Sequence, residues 1–248
     1  MSVFQITASS LVGCVRENNE DMILVDGRFV RNESLSSQVT LDPSKRNILA
    51  LADGMGGHNC GEVASQDVLQ NLQFFFNDMP SGLSVEKFYE AIYEWLGSMN
   101  NIIDGKGRSD SQYQGMGTTL VALAHYENHL FWMNCGDSRL YQLHNGQLLQ
   151  LTTDHSLNNL TGEKKHSHIV TNCIGGGCKT SYIDIVDCTD QIVPGDTLLL
   201  CSDGLTDMVD DGVILQKLLD GANAEELCHA AENEGGLDNI SVIVARYK

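Results

Sequence analysis

The sequence predicts an α+β fold in which two β-sheets stack face to face and pairs of helices cover them outside. Three observations carry this. Strand-like segments outnumber helical ones, and the helical segments come in two pairs instead of alternating with strands. Several strand candidates, such as ILALA and LLLC, are continuous apolar runs, as strands buried on both faces require. The chain has 248 residues, 42% apolar and 19% charged, which is a globular composition long enough for a sizeable core. Pro occurs only at positions 43, 80 and 194, and no Ser/Gly/Pro-rich linker divides the chain, so residues 1–248 read as one domain.

Val3–Val12 and Met22–Asp26 open the chain as strands. The polar stretch from Asn32 to Lys45 reads as a loop or the tip of a long hairpin. Asn47–Ala52 is a buried strand. A helix is predicted from about Gly61 to Asp78, with Ala64, Val68, Leu72 and Phe75 on one face. A second runs from about Ser84 to Ile103, with Val85, Phe88, Ile92, Leu96, Met99 and Ile103 on one face and Ser84 as its N-cap. Thr118–His125, His129–Asn134 and Arg139–His144 follow as strands, and His144-Asn145-Gly146 between RLYQL and QLLQL marks a hairpin. Ile183–Asp187, Thr197–Cys201 and Ile240–Tyr247 complete the strands, with helices near 210–220 and 223–235.

Lys plus Arg number 15 against 33 Asp plus Glu, a formal charge of −18. Such a chain is a poor binder of nucleic acid or anionic lipid. No run of about 18 apolar residues is present, so no transmembrane helix is expected. The N-terminus lacks a basic region before an apolar one, which argues against a secretory signal and for a cytoplasmic protein. Eight Cys occur without a C-x-x-C pair, against zinc ribbons or a thioredoxin-type site and for a reducing compartment. Cys173 and Cys178 could approach one another, but read as reduced structural thiols.

The informative pattern is where acids fall. ILALA runs into Asp53, LFWMNCG into Asp137 and LLLCS into Asp203, while Asp238-Asn239 precedes the apolar strand ISVIVARY. Most Asp-Gly pairs are turns, and this chain has six of them, at 26, 53, 104, 203, 211 and 220. Four acids at the ends of buried strands are nevertheless placed to converge if those strands are neighbours. Carboxylates held close repel one another unless cations neutralise them, and hard oxygen donors suit Mg²⁺ or Mn²⁺.

Val15-Arg16-Glu-Asn-Asn-Glu20-Asp21 resembles the R-x-x-x-E-D motif of the PPM (PP2C-type) metal-dependent Ser/Thr protein phosphatases, in their bacterial form. Ala52-Asp53-Gly54-Met55-Gly56-Gly57-His58, Gly115-Met-Gly-Thr118-Thr119, Asn134-Cys-Gly136-Asp137-Ser138-Arg139-Leu-Tyr141, Thr153-Asp154-His155-Ser156, Ser202-Asp203-Gly204-Leu205 and Asp238-Asn239-Ile240-Ser241 resemble the remaining blocks, in the family's order. The resemblance implies a four-layer αββα sandwich of two antiparallel sheets, with two Mn²⁺ or Mg²⁺ ions between them and a weaker third. It implies that Asp53 bridges both metals, that the Gly54 carbonyl ligates one, and that Asp203 and Asp238 ligate the other. Asp137, with Asp203, matches the holder of the third ion. Glu20 and Asp21 match acids that hydrogen-bond metal waters, and Arg16 matches the residue that binds substrate phosphate, a task suited to its forked donors. The implied reaction is direct attack of a metal-bridging hydroxide on phosphoserine or phosphothreonine of a protein, in a monomer opposing a Ser/Thr kinase. A catalytically inactive phosphoprotein-binding regulator of the same fold is the alternative, disfavoured because every expected carboxylate is present.

Two departures from the family pattern stand out. Met55 occupies the place of a His that in eukaryotic members can act as an acid, and His58 reads as loop-ordering. The stretch after Asp154-His155-Ser156 is polar and short, which predicts a truncated, mobile flap over about 156–180. Lys164, Lys165, His166 and His168 form its one basic cluster, read as a solvated loop.

Overall fold

A computed structural model describes residues 2–56, 60–162 and 169–248. In chain order the strands and helices are β1 (Val3–Leu11), β2 (Met22–Val25), β3 (Arg28–Val30), β4 (Glu33–Thr40), β5 (Arg46–Ala52), β6 (Gly54–Met55), α1 (Gly61–Asp78), α2 (Val85–Ser109), β7 (Gly117–Thr118), β8 (Leu120–Tyr126), β9 (His129–Cys135), β10 (Arg139–His144), β11 (Gln147–Gln150), α3 (Leu157–Thr161), β12 (Ile174–Gly175), β13 (Asp184–Asp187), β14 (Thr197–Cys201), α4 (Asp203–Thr206), α5 (Asp211–Leu219), α6 (Ala224–Asn233) and β15 (Ile240–Tyr247).

Two six-stranded antiparallel sheets form the middle of the molecule. One has the order β11-β10-β14-β15-β1-β4 and the other β13-β9-β8-β5-β2-β3. Their facing sides share one core, where Ile23, Leu49, Leu51 and Val121 of one sheet meet Ile6, Leu198, Leu200 and Ile243 of the other. Because strand side chains alternate, the opposite faces stay apolar too. Leu24, Ala50, Ala122 and Met133 pack under Val68, Leu72, Phe88 and Ile92 of α1 and α2. Tyr141, Leu199, Val242 and Val244 pack under Ile214, Leu218, Leu227 and Ala231 of α5 and α6. Four layers, αββα, follow from strands that are apolar on both faces.

The helices begin where the sequence provides caps. Ser84 Oγ accepts from the Lys87 amide, and Asn223 with Glu226 forms a reciprocal capping box at α6. Helix α2 runs six residues past Ile103, where the sequence predicts its end, and through Gly105 and Gly107. It continues because Lys106 pairs with Asp67 of α1 and because Gly107 lies where a Cβ would meet the Tyr113 carbonyl at 2.9 Å.

The segment expected as a loop or the tip of a long hairpin from Asn32 to Lys45 is corrected to strand over Glu33–Thr40. It pairs antiparallel with β1 at the edge of its sheet and buries only Leu35 and Val39, so its alternation is too sparse to stand out from a polar stretch. The stretch expected as a flap contains the single helical turn α3. Its basic cluster, Lys164, Lys165, His166 and His168, lies outside the described residues, as does His58.

A third, three-stranded sheet of order β12-β7-β6 lies beside the site, with Gly54 opposite Thr118 and Thr118 opposite Ile174.

Candidate metal and phosphate site

The topology brings the acids together. Asp53 follows β5 and Asp137 follows β9, two strands of one sheet. Asp203 follows β14 and Asp238 precedes β15, neighbours in the other. All four therefore stand at one rim of the sandwich. Glu20 and Asp21 reach it from the segment before β2. Arg16, Glu20, Asp53, Asp137, Asp203 and Asp238 line one cavity of about 320 Å³. A second cavity of about 520 Å³ shares Arg16, Asp203 and Asp238 and extends toward Met208 and Leu237. A larger cavity of about 720 Å³, at the end of α2, contains none of these acids.

Backbone and hydroxyl contacts hold the segments that carry these acids. The Asp53 amide donates to Thr119 Oγ1 at 3.0 Å, and its carbonyl accepts from Thr119 N at 2.9 Å and Thr118 Oγ1 at 2.8 Å. Gly54 is required by crowding, since a Cβ there would meet the Gly61 carbonyl at 2.2 Å. The Gly136-Asp137 turn is pinned by His155, whose Nδ1 accepts from Gly136 N at 3.1 Å. Asn172 Nδ2 lies 2.8 Å from His155 Nδ1 as well. Nδ1 is thus the acceptor, and the ring proton sits on Nε2, which faces Asp184 Oδ2 at 3.0 Å. Asn239 holds the two chain ends together. Its Oδ1 accepts from Glu20 N, and its Nδ2 donates to the carbonyls of Val12 and Asn18, each at 2.9 Å.

Among the described residues, the acids of the rim outnumber the cations that face them. Burial, then the neighbouring Asp21, Asp203, Asp137 and Asp238, hold the Asp53 carboxyl well above the usual carboxylate range. Burial and the adjoining Asp203 push Asp137 up to about 7. Asp21, wholly buried, is pushed up to about 7 by burial although Ser202 Oγ donates to its Oδ2 at 2.9 Å. Among the described residues, its buried Oδ1 has no hydrogen-bond partner. Burial likewise raises Glu20. Among the described residues, the cation facing this group is Arg16, whose Nη2 meets Asp238 Oδ2 at 2.6 Å.

An orphaned buried carboxylate oxygen, mutually repelling acids and an all-oxygen donor set fit divalent Mg²⁺ or Mn²⁺. The donors stand around a cavity and not around a point. Among the described residues, no three His, Cys, Asp or Glu side chains are gathered closely enough to close on one ion.

The structure thus brings all eight residues singled out in the sequence to one rim. Sequence reasoning missed the supporting residues. Thr119, Ser202 and Asn239 lie within the recognised blocks but reveal their partners only in space. Arg139 belongs to a block too, yet its guanidinium turns away and forks onto Asp154, with Nε to Oδ1 at 3.0 Å and Nη2 to Oδ2 at 2.7 Å. Arg31 carries no motif at all. It bridges the Asp21 carbonyl at 2.7 Å to Ser65 Oγ at 2.9 Å.

Comparison with known proteins identifies the class to which this four-layer sandwich with an acid rim belongs. The family described as Protein phosphatase 2C matches residues 36–233, and the chain belongs to that family. The serine/threonine protein phosphatase PstP of Mycobacterium tuberculosis is 34% identical over 98% of this chain, which spans 45% of that relative's length. Protein phosphatase PhpP of Streptococcus pneumoniae is 33% identical over 96% of this chain and 95% of its own. Among solved structures, the S. agalactiae serine/threonine phosphatase superposes with a TM-score of 0.82 at 27% identity, over 98% of this chain and 99% of that one. The PstP catalytic domain in complex with two manganese ions gives 0.76 at 32% identity, over 100% and 99%.

Proposed function

We propose that this chain, acting as one domain, hydrolyses phosphoserine and phosphothreonine monoesters on proteins with the help of two Mn²⁺ or Mg²⁺ ions. The carrying observation is the convergence of Asp53, Asp137, Asp203 and Asp238 from four strand ends onto one cavity with Arg16 at its mouth. Asp53, the Gly54 carbonyl, Asp203 and Asp238 would hold the two ions, and Asp137 with Asp203 a weaker third. A bound metal pair supplies Lewis-acid activation of water and neutralises phosphate charge. The manganese-bound PstP neighbour supports this reading.

The chain's own residues do the rest. Arg16 offers donors to the phosphate oxygens; its exposed head is free to swing from Asp238 toward a ligand. Glu20, which lines the cavity, would accept hydrogen bonds from waters there, with Asp21 buried directly behind it. Met208 and Leu237 give the neighbouring cavity an apolar wall against which residues flanking the phosphorylated one can lie. Met55, where eukaryotic relatives place His, supplies no proton, so the leaving alkoxide takes its proton from water. The proposed substrates are those of a Ser/Thr protein kinase, met in the cytoplasm by a monomer. No helix among the described residues is long and apolar enough to cross a membrane.

The test is hydrolysis of a phosphothreonine peptide by the purified protein. Activity is expected with Mn²⁺ or Mg²⁺, is abolished by EDTA, and falls by at least about a hundredfold in Asp238→Asn. Full activity in EDTA or in that variant would overturn the ligand assignment. Peptide binding without turnover under any metal would mark an inactive regulator instead.

A further inference from the structure

Outside the acid rim, Cys173 and Cys178 lie with their sulfurs 3.4 Å apart. We propose that this pair is a reversible oxidation site, closing to a disulfide under a hydroperoxide oxidant and tightening the small sheet that carries Gly54. The thiols are held in place by their surroundings. Gly175, Gly176 and Gly177 all take positive φ, of 78°, 62° and 80°, which folds the six-residue loop back on itself. Cys178 N donates to the Gly175 carbonyl at 3.0 Å. Asn100 of α2 clamps the loop at both ends, accepting from Gly175 N at 2.7 Å and donating to the Cys178 carbonyl at 3.1 Å. Cys173 Sγ rests against Gly176, where an added Cβ would meet it at 2.7 Å. The sulfurs need approach by only roughly 1.3 Å to reach the bonded separation of about 2.05 Å.

The chemistry divides between the two thiols. Cys173 is buried, and burial with the adjacent Cys178 sulfur keeps its proton on. Cys178 is partly exposed and flanked by Gly177 and Lys179, which line the open cavity at the end of α2. Cys178 is therefore the attacking sulfur. As thiolate it displaces hydroxide from the hydroperoxide, breaking the O–O bond and forming a sulfenic acid. Cys173 then attacks that sulfur and water leaves. Two thiols lose two electrons and two protons, and one molecule of H₂O₂ becomes two of water.

The consequence reaches the site through paired backbone. Ile174, next to Cys173, pairs with Thr118, which pairs with Gly54, and Thr118 Oγ1 donates to the Asp53 carbonyl. A cross-link fixes the end of β12 and removes its freedom to open.

The experiment treats the whole protein with H₂O₂, alkylates it, and maps tryptic peptides. Residues 166–179 form one fragment holding these two cysteines and no other. It is expected to lose two hydrogens and resist alkylation before any other cysteine pair reacts, and to recover with dithiothreitol. Cys14, the exposed thiol, should still alkylate at low oxidant. Hydrogen exchange across Met116–Thr119 should slow by about threefold in oxidised wild type and not in Cys178→Ser. Failure of the fragment to cross-link, or prior reaction of another pair, would overturn the site. Cross-linking with unchanged or faster exchange would overturn the coupling. Neither readout depends on phosphatase activity, so the outcome is separate from that of the proposed function.

Discussion

Arg16 and Asp238 stand 222 positions apart in the chain and meet as an ion pair, Nη2 to Oδ2 at 2.6 Å. The hydrogen bond to Asp238 raises the Arg16 guanidinium above its ordinary value, so it is charged at any working pH. In the proposed site both ends of this pair have other partners, phosphate for the arginine and metal for the carboxylate. Arg16→Ala is expected to raise KM for a phosphopeptide by about tenfold, the order expected for a charge-assisted hydrogen bond, with a smaller fall in kcat. Manganese affinity measured by calorimetry should be no weaker. An unchanged KM would remove Arg16 from phosphate binding.

The buried acids set a pH dependence of opposite sign to common acid denaturation. Asp21 and Asp137 have folded-state values raised to about 7 from an ordinary value near 3.8. Between those values the folded chain binds more protons than the unfolded one, so their contribution to stability is present at low pH and is lost as pH rises toward 7. Metal-free protein should melt higher at pH 5.5 than at pH 8, by at least about 4 °C. Manganese should restore the melting temperature at pH 8. A metal-free protein more stable at pH 8 would contradict the repulsion described here.

Asp53→Asn separates function from stability. It removes one charge from a repelling cluster while keeping the side chain's shape. The metal-free variant is expected to melt above wild type, by about 2–4 °C, while phosphatase activity falls by orders of magnitude. Thermal scans in EDTA, paired with peptide assays in manganese, check both halves. A variant less stable than wild type in EDTA would show that the carboxylate is balanced by protein.

Gly54→Ala probes the backbone. The new Cβ would press on the Gly61 carbonyl at the start of α1, and backbone on both sides must move. A loss of about 2 kcal/mol or more is expected in urea titration, with weakened manganese binding. The same change at Gly146, where nothing lies within 4 Å, is a control for substitution itself, although its positive φ of 79° costs a smaller amount.

What could be read from the sequence follows from how local each signal is. Helix α1 begins and ends at Gly61 and Asp78, as its apolar stripe predicts, and β10, β14 and β15 keep their predicted bounds. The four strand-end acids were legible because a charged residue closing a buried apolar run is conspicuous along the chain. Arg31, His155 and Asn239 as positioning residues were not, because each acts across 10 or more positions through contacts that only the folded sheets create. The end of α2 was hidden by Gly105 and Gly107, and its continuation depends on Asp67 of another helix. Strand β4 was hidden by its own composition.

That composition has a further effect. Among the described residues, β4 has no further strand beyond it in its sheet, and its exposed side chains include Glu33, Ser34, Ser36 and Gln38. An oily border of this kind would recruit a second molecule and grow into aggregates. Hydroxyl- and amide-bearing side chains keep water bound there, so the molecule can concentrate without its sheets joining end to end.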